Sequence, residues 1–334
     1  VGSEMFIRDR QGHATVAGTL GAPGGTANIT AKGLSFKDVT YGDLTVKASA
    51  DSQAATIESL TLRREKDQLT GRGSFHFVKQ EVADVQLEFR LSDLAFYTET
   101  FWPENWNLAR GKSRIGGSLA GKVTLNGPLT MPGGTADIKA RQLSFEETRF
   151  GNADIRLHSN GQKITVETLE LRQAKDRVDL QGSFDLESQV LENVKLDIAI
   201  ADVAAYTKNV LPETQPLTAG LRANVKASGP LLEPTARADI TLNNLQLSDF
   251  KIPGGIFKLR SSGRRIHIDL ARVNAPLGEA KLTGNLLRGP ADAAFDLELT
   301  DLSFSGQNAL LALKKPGHIH FTRIGDVSLK DISC

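Results

Sequence analysis

The chain repeats itself, and that constrains its fold more than any other feature. The stretch from Pro132 to Leu186 has an earlier copy 109 positions upstream. Pro23-Gly24-Gly25-Thr26-Ala27 returns as Pro132-Gly133-Gly134-Thr135-Ala136, Leu34-Ser35-Phe36 as Leu143-Ser144-Phe145, and Gly73-Ser74-Phe75 as Gly182-Ser183-Phe184. Lys66-Asp67 and Tyr97-Thr98 return as Lys175-Asp176 and Tyr206-Thr207. A third copy follows at a shift of 102, where Gly127-Pro128-Leu129 becomes Gly229-Pro230-Leu231 and Asp137-Ile138 becomes Asp239-Ile240. Self-similarity at a fixed period means neighbouring units that share one architecture and cover each other's apolar faces. The expected organisation is repeat one over 1–111, repeat two over 112–217 and repeat three over 218–316. Residues 317–334 begin a further strand set within one continuous elongated domain.

Within each repeat the apolar residues alternate with polar ones, the mark of a strand with one dry face. In repeat two the apolar sets are Leu119 to Leu125, Ala136 to Ala140, Ala153 to Leu157, Ile164 to Val166, Val178 to Leu186 and Val194 to Ile200. This gives about six antiparallel strands per repeat. The phase slips between Ala140 and Leu143 and between Val166 and Leu169. Matching slips occur at Ala31/Leu34 and Ile57/Leu60, and at Leu242/Leu245 and Ile268/Ala271. A one-residue slip is what a β-bulge produces, and a bulge bends its strand. The one helical signal closes each repeat. Asp93 and Asp202 are N-cap residues, Tyr97 and Tyr206 follow on one helix face, and Pro103 and Pro212 are stops. A third, blurred helix is expected at Leu310 to Leu313.

These strands present a large apolar face, and no long helix exists to cover it. A soluble monomer tolerates a contiguous apolar patch of only a few hundred Å², roughly. The expected fold is therefore all-β: an elongated, curved antiparallel sheet forming an open hydrophobic groove, with short helices at the repeat junctions. The lining in repeat one is Ile29, Val46, Leu69, Phe75, Leu87 and Phe89. In repeat two it is Val123, Leu125, Ile138, Ile155, Leu157, Val166, Leu180, Phe184, Leu196 and Ile198. In repeat three it is Val225, Ile240, Leu259, Ile268, Leu282 and Leu297. Lys139, Arg156 and Asp197, which alternate with the lining, should face solvent. The competing architecture is a tandem β-sandwich rod, a structural element, adhesin or scaffold without cargo.

Forty basic against 39 acidic residues leave no nucleic-acid footprint. The single cysteine, Cys334, excludes an internal disulfide. The chain starts Val1-Gly2-Ser3 and stops in mid-pattern, so it reads as an interior piece of a longer protein. His318 and His320 share a strand face at a spacing that can hold a metal. No third ligand is near in sequence, so a solvated edge is expected there, and no metal or cofactor elsewhere. Gly111-Lys112-Ser113 resembles the end of a P-loop, but Trp106 stands where the first glycine belongs. The Lys-Asp pairs read as hairpin turns, and Tyr97, Phe101, Trp102 and Trp106 as an aromatic pin at a junction. A catalytic site is normally unique, whereas these elements recur, so the chain is not expected to be an enzyme.

The run Gly220-Leu221, Val225, Gly229-Pro230-Leu231, Pro234, then Ala238-Asp239-Ile240 and Leu245-Gln246-Leu247, resembles the AsmA-like superfamily, which includes TamB and YhdP. The later Leu180-Gln181-Gly182-Ser183-Phe184 and Leu282-Thr283-Gly284-Asn285-Leu286 are similar to the same family. The resemblance covers nearly the whole chain. It implies a U-shaped "β-taco" whose groove carries phospholipid acyl chains. It also implies a periplasmic setting in a Gram-negative cell, with an inner-membrane anchor and a route to the outer membrane. For TamB it further implies a BamA-like partner in outer-membrane protein assembly.

Overall fold

The structure is a computed structural model that describes residues 5–6, 9–19, 22–36, 39–101, 115–207, 217–247, 250–288, 294–306, 310–322 and 327–330. These residues form strands almost throughout. After β1 (Met5–Phe6) come β2 (Asp9–Thr19), β3 (Ala22–Phe36), β4 (Val39–Ala50), β5 (Ala54–Arg64), β6 (Asp67–His76), β7 (Glu81–Leu91) and the helix α1 (Leu94–Phe101). The same order returns in β8 (Ile115–Pro128), β9 (Gly133–Phe145), β10 (Thr148–Asn160), β11 (Lys163–Gln173), β12 (Asp176–Asp185), β13 (Val190–Ile200) and α2 (Ala204–Thr207). Then follow β14 (Leu217–Pro230), β15 (Thr235–Leu247), β16 (Phe250–Ser262), β17 (Arg265–Ala275), β18 (Gly278–Arg288) and β19 (Ala294–Gly306). Six strands per repeat is the number that the alternation gives. β20 (Leu310–Ala312), β21 (Gly317–Thr322) and β22 (Val327–Lys330) follow.

The chain divides into two compact units, Val1–Leu169 and Glu170–Cys334, and the division falls inside β11. In the first unit β2 to β10 pair antiparallel in chain order, and β1 adds to β3. In the second, β12 to β19 do the same. β19 then shares its free edge between β20 and β21, and β22 pairs with β21. No pairing among the described residues joins the ends of either sheet, so each unit is an open sheet. The core says the same. The fully buried hydrophobics are Ala31, Ala95, Ala140, Ala153, Ala219 and Leu299. A sandwich would have buried the large side chains of two facing sheets; here, among the described residues, only Leu299 of the large ones is sealed.

The bulges sit where the phase slips. Register shifts fall between Ala31 and Leu34, between Ile57 and Leu60, and between Ile268 and Ala271. The extra residues Gly33, Gln142 and Asn244 are left-handed, with φ of 59°, 54° and 50°. Side chains from the next strand hold two of them. Asp43 Oδ1 accepts the Gly33 N–H at 2.9 Å, and Asn152 Oδ1 accepts the Gln142 N–H at 3.1 Å. A further bulge, absent from the sequence reading, lies at Asp84 and Asn193, both with φ 51°. It explains the repeated glycine of the Gly-Ser-Phe motif. A Cβ on Gly73 would stand 2.8 Å from Val85 Cα, and one on Gly182 2.8 Å from Val194 Cα.

The caps are also as expected. The Ala95 N–H donates to Asp93 Oδ1 and the Ala204 N–H to Asp202 Oδ1, both at 3.0 Å. One expectation fails. Leu310 to Leu313 is no helix; Leu310–Ala312 is the edge strand β20, paired with Ser303–Ser305. The open edge of β19 offers this segment backbone partners, and pairing with it fixes the extended form. Trp102, Pro103, Trp106, the Gly111-Lys112-Ser113 run, Pro212 and Cys334 lie outside the described residues.

Candidate functional site

Register turns the alternation into a surface. Residues directly opposite each other in an antiparallel pair lie on one face. In the first unit one row of such pairs runs Ile29, Val46, Leu60, Gly71, Leu87, Val123, Ala136, Leu157. The row beside it runs Ala31, Leu44, Leu62, Leu69, Phe89, Gly121, Ile138, Ile155. In the second unit one row is Val178, Ile198, Ala223, Ile240, Phe257, Ala271, Leu282, Leu302. Its neighbour is Leu180, Leu196, Val225, Ala238, Leu259, Ile268, Gly284, Leu299. Not one of these thirty-two positions is polar, and most of the expected lining stands in them. Phe75 faces Val82, Leu125 faces Val85, Phe184 faces Leu191, and Leu297 faces Leu286 on flanking rows. Val166 lies half-buried on β11.

The lining is half-buried rather than sealed. Side chains shield their neighbours along the rows, but among the described residues no second layer of protein lies over them. Ile29 is the exception, at 43% exposed. Its partner on β2 is Gly12, which has no side chain to lean against it. Glycines inside the rows give room to the large residues beside them. A Cβ on Gly121 would meet the Phe89 ring at 2.8 Å, and one on Gly71 would meet Leu87 Cδ2 at 2.8 Å.

The opposite face is mostly polar. Between the two apolar rows of the first unit runs Thr30, Thr45, Thr61, Thr70, Glu88, Lys122, Asp137, Arg156. Cross-strand ion pairs tie it together, Lys122 Nζ with Glu88 Oε2 at 3.4 Å and Arg156 Nε with Asp137 Oδ2 at 3.9 Å. Lys139, Arg156 and Asp197 are exposed, as expected. Two surface depressions, of about 540 and 520 Å³, lie on this face among Glu88, Lys122 and Asp137, and among Lys195, Lys226 and Arg237.

The sequence reading missed one feature at the repeat junctions. Asp67, 5% exposed, accepts hydrogen bonds from the Ser92 N–H and hydroxyl at 2.6 and 2.5 Å and from the Tyr97 hydroxyl at 2.6 Å. Arg64 stands 3.6 Å away, with its guanidinium 3.4 Å from the Phe96 ring centroid. Asp176 repeats the clamp, accepting from the Ala201 N–H at 2.7 Å and from the Tyr206 hydroxyl at 2.6 Å. Burial pushes the Asp67 carboxyl up. The bonds from Ser92 and Tyr97 and the Arg64 charge outweigh it and hold the group below its ordinary value. Burial and the carboxylate push the Tyr97 phenol up to about 12 and raise that of Tyr206 as well. The clamps fasten the helices to the strand ends. The signal was the pair of repeated Asp and Tyr columns, each Asp thirty residues before its Tyr.

Among the described residues no three His, Cys, Asp or Glu side chains already stand where they could hold a metal ion. Comparison with protein-family models, curated proteins and solved structures finds no match to this chain.

Proposed function

We propose that the chain is a non-enzymatic section of a lipid conduit, and that phospholipid acyl chains lie along the apolar rows of each unit. The observation that carries this reading is a run of uninterrupted apolar rows with no layer of described residues over them. Apolar surface left in water is costly, and each CH₂ of a guest chain that covers it contributes about 0.8 kcal/mol. An acyl chain needs only apolar walls, which fits a surface without hydrogen-bonding groups. The polar opposite face keeps such a sheet in water. The resemblance to the AsmA-like superfamily extends the proposal. On that resemblance the proposed setting is a Gram-negative periplasm, between inner and outer membranes. The resemblance also suggests a role in outer-membrane protein assembly through a BamA-like partner.

The test is a photo-crosslinking amino acid placed at Ile155, on the apolar face, and at Arg156, on the polar face, in the full-length protein in cells. Phospholipid should be captured at Ile155 and not at Arg156. Equal capture, or none at either position, would refute the conduit and leave the scaffold reading.

A further inference from the structure

The pair His318 and His320 lacked a third ligand in sequence; β19 supplies one. β21 pairs with β19 so that His318 faces Glu298 and His320 faces Asp296. Residues in such register share a face, with Cβ atoms roughly 4.5–5.5 Å apart. Four side chains of metal-binding type therefore occupy the corners of one cross-strand rectangle on the polar face of the second unit.

Two of the four are already oriented. His320 Nδ1 is bonded to Asp296 Oδ1 at 2.5 Å. With the proton on Nδ1, this contact leaves the Nε2 lone pair free, the arrangement found in metal-ligating histidines whose other nitrogen donates to a carboxylate. Glu298 Oε2 accepts the Asn285 Nδ2–H at 3.0 Å, which leaves Oε1 available. Asn285 is fixed in turn by His267, whose Nδ1 is 2.6 Å from Asn285 Oδ1. Glu298 and His320 are half-buried, while His318 is exposed and is the side chain that must rotate inwards. The outer support of a metal centre thus stands in place before the ligands converge.

We propose that His318, His320 and Glu298 bind one divalent transition-metal ion, with Asp296 and Asn285 as the supporting hydrogen-bond partners and water completing the coordination. Two imidazoles and one carboxylate favour a borderline ion such as Zn²⁺ over Ca²⁺ or Mg²⁺, which require mostly oxygen. The proposal is independent of what the apolar face carries.

The test titrates the whole chain with Zn²⁺ by calorimetry and with Co²⁺ by visible absorption, on a Cys334→Ser background that removes the thiol. One equivalent should bind, with a Co²⁺ spectrum of nitrogen and oxygen ligands and weaker binding in acid, where protons compete for the ligands. His318→Ala and Glu298→Gln should each weaken binding at least tenfold. Asp296→Asn should weaken it about 10–100-fold through the orientation of His320. His158→Ala should change nothing, and circular dichroism should show every variant folded. Absence of binding at micromolar metal would overturn the site. So would an affinity and stoichiometry unchanged in the His318→Ala, His320→Ala double variant.

Discussion

Asp67 and Asp176 perform the same task 109 residues apart. Each ends a tight turn with a carboxylate that collects the hydroxyl of a tyrosine on the following helix. The pH consequences have definite signs. The carboxyl of Asp67 is lowered in the fold, so its contribution is present above the unfolded carboxylate value and is lost as pH falls through the folded one. The phenol of Tyr97 is raised, so its contribution is complete below the ordinary tyrosine value of about 10. It disappears as pH rises through about 12. In a Tyr41→Phe, Tyr206→Phe background, ultraviolet difference spectroscopy should show Tyr97 ionising well above a free tyrosine. Asp67→Asn should move that transition back towards the free value and lower stability by about 1–3 kcal/mol. An unshifted Tyr97 would mean that the clamp does not form.

At the scale of elements the helices depend on their caps. Asp93→Ala should cost about 1 kcal/mol in a chemical denaturation curve. Asp202→Ala should cost more, because Asp202 Oδ1 also accepts the Ala219 N–H of β14 at 3.3 Å. Equal losses would show that this second bond contributes nothing. The legibility of elements followed the reach of their causes. Strand phases such as Ile155/Arg156 and bulges such as Ala31/Leu34 arise from neighbours in sequence and were readable there. The clamp from Asp67 to Tyr97 was visible only as two unconnected repeats, since its geometry requires β6, β7 and α1 to be placed first. The run at Leu310 was misread because a short apolar segment has no period that separates helix from strand; the open edge at Ser303–Ser305 decided it. Glu298 opposite His318 was illegible for the same reason, because register between β19 and β21 is a property of the folded sheet.

The same rule holds in each unit: apolar rows on one face, mostly polar residues on the other. A sliding hydrocarbon would meet an ionised group in such a row at a cost of about several kcal/mol in a dry site. Ile155→Asp and Ile198→Arg should therefore stop lipid flux in cells while leaving folded proteins, since both rows are open enough for a charged head to lean into water. Arg156→Asp should be nearly silent. Full flux with both apolar-face charges present would remove the conduit from consideration. The strictly sequential pairing has a consequence of another kind. Nearly every strand finds its partners immediately before and after it in the chain, so each step of assembly closes only a short loop. Such a chain can fold progressively as it emerges, without waiting for its far end. It can also be lengthened or shortened by whole hairpins, since two strands added together return the chain to the same rim with both flanking registers intact. The span of a protein built this way is set by duplication, one hairpin at a time.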